Sequence, residues 1–224
     1  MWKLLKNLLL STKLKPRFIW FGIGSGIKML INPSYKTQRI IGMDEREIQK
    51  TFKQFSRKSK LFIDIGASDG YYGLIYRKLN KNGLIYLFDG ESSFKETQII
   101  NFSLNNYSLT KVELFNKYVG SENNDFTITV NDLINPELED IIFIKIDVVG
   151  AELNVLNGLS KILKNYNCKL IIETHSKKLE EECIDKLLEL DYKFKILPKG
   201  WYRFIMPESR PIDHNQWLSA EKNI

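Results

Sequence analysis

Two acidic residues, one before and one within a short glycine-containing segment, give that segment a composition that suits a nucleotide-like ligand. Asp64 lies in the apolar run 61–65, and Asp69 lies in the segment 66–70 that follows it. The glycines allow the backbone to turn sharply and to approach a ligand, and the start of the next helix offers free N–H groups. A dinucleotide site requires G-x-G-x-x-G, but Ser68 takes the place of the second glycine, and carboxylates would repel a pyrophosphate. The segment therefore favours a cationic ligand with an amino group and a sulfonium.

A further acidic residue, Asp89, ends the next predicted strand. It follows the apolar residues 85–88 and lies 25 positions after Asp64. An acid at the tip of the second strand of an α/β unit can accept hydrogen bonds from both ribose hydroxyls of a nucleoside. The simpler alternative, a strand, turn and helix in which an aspartate only caps the helix, stays open at this point.

A third apolar segment, residues 140–156, again runs from a predicted strand into a helix. Asp147 ends this strand, and we expect it to contact either the substrate hydroxyl or an amino group of the cofactor. Lys145 lies two residues earlier on the same face and is expected to pair with Asp147, in a role that is either functional or purely structural. Glu152 is explained equally well by the helix dipole and by a substrate contact. The candidate cofactor-binding residues are Asp64, Gly66, Ala67, Ser68, Asp69, Gly70, Asp89 and Asp147.

The sequence Ile-Ile-Glu-Thr-His at 171–175 ends another predicted strand. In an open α/β sheet, the carboxyl ends of the strands share one edge, so Glu173 and His175 should lie beside the other strand ends. His175 is the first candidate for a general base and Asp147 is the second. Capping of the next helix is the simpler explanation of both Glu173 and His175. The candidate catalytic residues are His175, Asp147, Glu173 and Lys145.

Five motifs, in this order, resemble the FkbM family of S-adenosylmethionine-dependent methyltransferases over residues 40–197. The resemblance implies an α/β fold, the Rossmann-like seven-stranded sheet of class I methyltransferases, with helices on both faces and an antiparallel last strand. It also implies S-adenosylmethionine as the cofactor. The chain departs from the family pattern at Asp89-Gly90, where the family has Glu-Pro, and at Val149, where it has Glu. The motifs are F-I-D-I-G-A-x-D-G-Y-Y, the strand end L-F-D, T-V-N-D-L-I from Thr129, I-K-I-D-V-x-G-A-E and I-I-E-T-H.

The resemblance implies O-methylation of a hydroxyl group on a sugar, a glycan or another small molecule. Methyl transfer from a sulfonium is an in-line displacement, so such an enzyme mainly aligns the acceptor with the methyl group. Two alternatives stay open. Val149 favours a binding protein that has this fold but no turnover. The basic N-terminal residues favour an RNA methyltransferase, although the more acidic remainder of the chain argues against a nucleic-acid partner.

The 224 residues suit one domain, and the charge is distributed unevenly along the chain. Residues 1–60 contain 14 of the 33 Lys and Arg residues but only 3 of the 27 Asp and Glu residues. Residues 1–10 resemble a basic amphipathic helix, which suits either an anionic membrane surface or packing on the core or on a second subunit.

The two cysteines form no C-x-x-C motif, so we expect no metal site and no disulfide. We also expect a cytoplasmic location, with association at a membrane surface as the alternative.

We divide the chain into a basic N-terminal arm at 1–40, a methyltransferase domain at 41–206 and a C-terminal tail at 207–224.

Local patterns predict several further features. A loop, rather than a second nucleotide site, is predicted at Gly22, Gly24 and Gly26. A turn is predicted at Asn32-Pro33 and a helix cap at Asp44. The predicted elements are a helix from about 71, strand 84–88, helix 92–106, strand 111–118, a short strand at 126–130, strand 141–147, helix 151–164, strand 169–173, helix 177–190, strand 192–197 and a last strand near 202–206.

Overall fold

The structure, a computed structural model, describes residues 13–134, 140–204 and 214–222. Within these residues, the helices are α1 (Pro33–Ile40), α2 (Gln49–Lys58), α3 (Tyr71–Leu79), α4 (Ser93–Ser103), α5 (Glu152–Gly158), α6 (Ser160–Asn165) and α7 (Lys177–Glu189), with 3₁₀ turns at Val130–Asp132 and Trp201–Phe204. The strands are β1 (Lys15–Phe18), β2 (Lys28–Ile31), β3 (Leu61–Ile65), β4 (Leu84–Phe88), β5 (Val112–Phe115), β6 (Tyr118–Val119), β7 (Thr127–Ile128), β8 (Ile141–Ile146), β9 (Asn167–Thr174), β10 (Tyr192–Leu197) and β11 (Gln216–Lys222).

Seven of these strands form one sheet in the order β10-β11-β9-β8-β3-β4-β5. β11 pairs antiparallel with both β9 and β10, and the remaining neighbours are parallel. The predicted seven-stranded sheet with an antiparallel last strand is therefore confirmed. The chain leaves β3 toward β4 on one side and returns through β8 on the other, so the strand order reverses between β3 and β8. Ligands of open α/β sheets bind at such a point, beyond the carboxyl ends of the strands.

The predicted position of the last strand was wrong. Residues 202–204 belong to a 3₁₀ turn, and the last strand is instead β11, inside the segment assigned to a C-terminal tail. The sheet domain therefore extends to Lys222, not to residue 206. The sequence Gln-Trp-Leu-Ser-Ala-Glu-Lys gives a weak strand signal because it contains no continuous apolar run. The strand lies inside the sheet nevertheless, since it pairs with a neighbour on each side.

Apolar side chains cover both faces of the sheet. On one face, α2 and α3 contribute to an aromatic cluster in which the rings of Phe52, Phe62 and Phe143 lie 4.9 to 5.4 Å apart. On the other face, α5, α6 and α7 pack on isoleucine and leucine side chains. No helix in the described part of the chain has the length and apolarity that a membrane crossing requires.

The N-terminal residues are joined to the domain more closely than the division at residue 40 implied. β1 and β2 form an antiparallel hairpin whose connection contains the three glycines predicted to form a loop, and Met29 and Ile31 are fully buried in the aromatic face. Asn32 caps α1 rather than forming a simple turn, a correction to the prediction. The predicted helix cap at Asp44 was also wrong, since α2 begins at Gln49. The predicted amphipathic helix at 1–10 lies outside the described residues.

Helix α4 and the turn that follows it hold this hairpin through two asparagine side chains, Asn101 in the helix and Asn105 in the turn. Asn101 accepts a hydrogen bond from the Leu30 N–H at 2.8 Å and donates one to the Asp69 carbonyl at 2.8 Å. Asn105 bonds both the N–H and the carbonyl of Lys28, at 2.9 and 2.7 Å. The two side chains thereby take the place of a neighbouring strand along β2, and Asn101 also fixes the glycine segment that follows β3.

Replacement of Asn101 by alanine should destabilise the protein by about 2 to 4 kcal/mol, because it leaves a buried N–H and a buried carbonyl without partners, each costing roughly 1 to 3 kcal/mol. The free energy of unfolding in urea measures this effect. The matched control is Asn165→Ala, an exposed asparagine at the end of α6, which should change the value by no more than about 0.5 kcal/mol. Equal effects of the two substitutions would contradict the assigned role.

Candidate functional site

The glycine segment joins β3 to α3 and lies beside the end of β8. Gly66 has a φ of +83°, and a Cβ on it would lie 2.0 Å from the Asp147 carbonyl oxygen. Any other residue there would force the two strand ends apart. Gly70 has a φ of +80° and forms the N-terminal cap position of α3. The two glycines thus allow a sharp turn directly at the sheet edge.

Asp89 lies against this turn, as predicted from its place at the end of β4. The N–H groups of Gly66 and Ala67 donate to the Phe88 carbonyl at 2.9 and 3.0 Å, and the Ser68 N–H donates to Asp89 Oδ2 at 2.8 Å. The other carboxylate oxygen of Asp89 accepts from the Glu91 N–H at 2.9 Å. The structure therefore brings the turn and the predicted ribose-binding acid together in one fixed arrangement.

Asp69 faces away from this arrangement. Arg39 Nη1 lies 2.8 Å from both of its carboxylate oxygens, and Lys36 Nζ lies 2.7 Å from Oδ2. Burial would raise the pKa of Asp69, but Arg39 and Lys36 outweigh burial and hold the pKa below its usual value. The side chain anchors the turn to α1, whereas the sequence had predicted a cofactor contact.

Asp64 is buried beneath the turn, in register with Lys145 on β8. Within the described part of the chain, its Oδ1 atom has no hydrogen-bond partner. Burial raises the pKa of Asp64 to about 7; Lys145 lowers it, while Asp147 and Asp89 raise it further. A carboxylate that is both buried and incompletely paired is a suitable partner for a cationic group of a ligand.

Lys145 and Asp147 form the predicted pair, with Nζ 3.1 Å from Oδ2. The side chain of Lys145 is buried, and its ammonium group lies 4.8 Å from the centre of the Tyr72 ring. Burial would lower the pKa of Lys145, but Asp147 and Asp64 outweigh it and raise the pKa above its usual value. Lys145 therefore stays positively charged at neutral pH and orients Asp147 rather than accepting a proton.

Glu152 holds His175 in place. On the sequence alone, Glu152 is explained either by the helix dipole or by a substrate contact. Glu152 Oε1 lies 2.7 Å from His175 Nδ1 and also accepts the His175 backbone N–H at 3.0 Å. The other ring nitrogen, Nε2, lies 3.4 Å from Glu173 Oε2 and 3.9 Å from Asp147 Oδ1. All four predicted catalytic side chains thus meet at one place, and Glu152 positions the histidine.

The carboxylates of this cluster raise the pKa values of their neighbours. Burial, reinforced by the nearby Asp147, raises the pKa of Glu173 to about 8. Burial alone would lower the pKa of His175, but Glu152 and Glu173 outweigh it and raise the pKa to about 9. Both shifts reflect several acidic side chains buried close together, an environment that stabilises positive charge.

Sequence reasoning missed two residues of the site. Asn215, just before β11, donates a hydrogen bond to Glu173 Oε1, but it lies in the segment assigned to a tail. Glu45 approaches from the loop before α2, and burial raises its pKa to about 7. No motif marks either position, since only the tertiary fold brings these loops to the strand ends. Val149, the departure from the family pattern, is 71% exposed at the surface of the β8–α5 loop.

Comparison with known proteins supports the fold and the family resemblance. The model of the methyltransferase FkbM domain family matches residues 122–196, which include Asp147, Glu152, Glu173 and His175. The predicted resemblance to that family is thereby confirmed for this part of the chain. Among curated proteins, no sequence shows a significant match.

Solved methyltransferase structures share the fold at low sequence identity. An S-adenosylmethionine-dependent O-methyltransferase from Thermotoga maritima is 12% identical with a TM-score of 0.55, over 80% of this chain and 66% of that one. An rRNA methylase from Streptococcus thermophilus is 14% identical with a TM-score of 0.55, over 82% and 99%. A methyltransferase-like protein from Streptococcus mutans, solved in complex with SAH, is 14% identical with a TM-score of 0.56, over 80% and 99%. These similarities establish the class I methyltransferase fold.

The charge of Asp64 should make stability depend on pH. Because its pKa of about 7 in the folded protein exceeds the unfolded value of about 4, Asp64 contributes stability that is present at low pH and is lost as the pH rises toward 7. Between pH 5 and pH 8, the wild type should lose about 2 kcal/mol more free energy of unfolding than Asp64→Asn. Urea unfolding at several pH values measures this. Asp185→Asn, at an exposed position of α7, is the control, and parallel curves for wild type and Asp64→Asn would contradict the assignment.

Proposed function

We propose that this chain, whose residues 122–196 match the FkbM methyltransferase domain, transfers a methyl group from S-adenosylmethionine to a hydroxyl group of a sugar, a glycan or another small molecule. The observation that supports this most strongly is the reversal of strand order between β3 and β8. The glycine turn, Asp64, Asp89 and the cluster around Asp147 all lie at the carboxyl ends of these strands. This is the edge where an open α/β sheet binds its ligands.

The residues around the turn fit this cofactor. Each oxygen of Asp89 accepts one backbone N–H and has a further lone pair for a ribose hydroxyl. The buried Oδ1 of Asp64 suits a cationic amino group, and the glycines let the backbone approach a ligand. The Streptococcus mutans protein of the same fold, solved with SAH, supports this choice of cofactor.

Asp147 is the group in the cluster that an acceptor can reach. Its side chain is 14% exposed, whereas those of His175 and Glu173 are 3% and 1% exposed. We therefore place Asp147 before His175 as the proton acceptor, which reverses the order expected from the sequence. Lys145 binds Oδ2 of Asp147, and Oδ1 lies 3.9 Å from His175 Nε2.

The cofactor supplies a methyl group that is already activated by the positive sulfur. When bound, the cofactor would give up its methyl group to the acceptor oxygen and leave as a neutral thioether, and Asp147 would accept the hydroxyl proton. The contribution of the protein is to align the acceptor oxygen and to accept the proton.

Calorimetric titration tests the cofactor site. S-adenosylmethionine should bind in the micromolar range and NADH should not bind. Asp89→Asn keeps an acceptor for the Ser68 N–H but loses the charge, so its affinity should fall by about tenfold, and Asp89→Ala should fall further. Asp125→Ala, at an exposed loop position, is the matched control and should bind normally. Failure of the wild type to bind S-adenosylmethionine would refute the proposed function.

Methyl transfer to hydroxylated sugars and glycans tests the acceptor class. With radiolabelled cofactor, the product should be an ether that resists mild alkali, whereas a methyl ester would release its label. Asp147→Asn should lower kcat by about 100-fold or more through loss of the proton acceptor, with the Asp125→Ala control unaffected. Label that is released by alkali, or full activity of Asp147→Asn, would contradict the assignment.

A further inference from the structure

One atom each of Asp147, Glu173 and His175 points toward a common centre. The potential ligand atoms of these side chains all lie within 4.8 Å of one another, and His175 Nε2 is 3.4 Å from Glu173 Oε2 and 3.9 Å from Asp147 Oδ1. We propose that the three side chains bind a divalent metal ion of the Mn²⁺ type. The inference reverses the expectation of no metal site, which rested on the cysteines.

Each of these side chains is held from behind by a different residue. Lys145 binds Asp147 Oδ2, Asn215 donates to Glu173 Oε1, and Glu152 binds His175 Nδ1. Three separate parts of the chain thus fix the outer atom of each side chain, and the inner atom faces the centre. Buried outer partners of this kind are typical of metal sites, where they orient the ligands before the ion binds.

Glu152 also decides which nitrogen of His175 is available. An ionised carboxylate only accepts hydrogen bonds, so Nδ1 donates to Glu152, and Nε2 is the ring nitrogen that a metal ion would bind by displacing its proton. The side chain of His175 is 3% exposed, yet Nε2 makes no hydrogen bond to any residue that the structure describes. Buried polar atoms nearly always have a partner. A buried ring nitrogen that faces two carboxylates without a hydrogen bond to either is a position that a bound metal ion would complete.

The dimensions and the ligand types agree with this proposal. Ligand atoms about 2.0 to 2.3 Å from an ion lie roughly 3 to 3.7 Å from one another, so the observed separations need only a small contraction. Two carboxylates and one imidazole suit Mn²⁺ and similar ions better than an ion that requires sulfur ligands. The 14% exposure of Asp147 leaves one side of the centre open to a further ligand.

The role of the ion rests on the proposed function. An acceptor hydroxyl that binds at the open side would lose its proton more readily, because a divalent ion lowers the pKa of a bound oxygen. The site would then account for acceptor activation in a chain that has Val149 where the family has a glutamate.

Titration of the untagged protein with Mn²⁺ tests the site directly. Binding decreases the electron paramagnetic resonance signal of free Mn²⁺ in the solution, and this decrease is measured. The wild type should bind one Mn²⁺, and His175→Gln and Glu173→Gln should abolish binding. Glu152→Gln should weaken it by about 10- to 100-fold through the positioning of His175. The matched control is His214→Gln, the other histidine, which lies 2.9 Å from Glu180 outside the site and should bind normally.

A second measurement does not depend on the folding of His175→Gln or Glu173→Gln. Electron spin echo modulation of Mn²⁺ bound to the wild type should show nitrogen coupling from one imidazole, and the coupling should persist in His214→Gln. Lack of Mn²⁺ binding by the wild type, lack of nitrogen coupling, or unchanged binding by both His175→Gln and Glu173→Gln would overturn the inference.

Titration with S-adenosylmethionine on the same preparation separates this inference from the proposed function. Cofactor binding without Mn²⁺ binding would refute only the metal site, and Mn²⁺ binding without cofactor binding would refute only the methyltransferase function. Displacement of Mn²⁺ by the cofactor would also overturn the metal site, because the cluster would then bind the cationic part of the cofactor.

Discussion

The close contact between the ends of β3 and β8 is the constraint on which the rest of the site depends. Gly66 lies so near the Asp147 carbonyl that no side chain fits between the two strands. This contact places the glycine turn of β3 directly beside the acidic cluster of β8. A ligand bound on the turn would therefore also face Asp147, and the proposed cofactor and acceptor would share one sheet edge.

Charge balance is the second constraint at this edge. Asp64, Asp147 and Glu173 lie close together in a largely buried region, and the cations Lys145 and His175 lie beside them. Buried like charges are costly, so the pKa values of Asp64 and Glu173 rise and the cluster gains from any bound cation. A sulfonium cofactor and a divalent ion would each supply positive charge there.

The N-terminal residues contribute to the site indirectly. Arg39 and Lys36 hold Asp69, and Asn101 connects the same turn to β2. The turn is thus fixed from outside the sheet, by a segment that composition alone had marked only as a basic arm. Its basic residues serve in part as structural partners of buried acid.

Local patterns in the sequence determined the parallel part of the sheet and the residues at its strand ends, because continuous apolar runs and glycine turns are short-range signals. They predicted β4 at its observed bounds and the pair of Lys145 and Asp147. Only the tertiary structure decided that β11 completes the sheet, that Asn215 holds Glu173, and that Glu152 orients His175. Those contacts join residues far apart in the chain, and their energy comes from burial and pairing that no local pattern records.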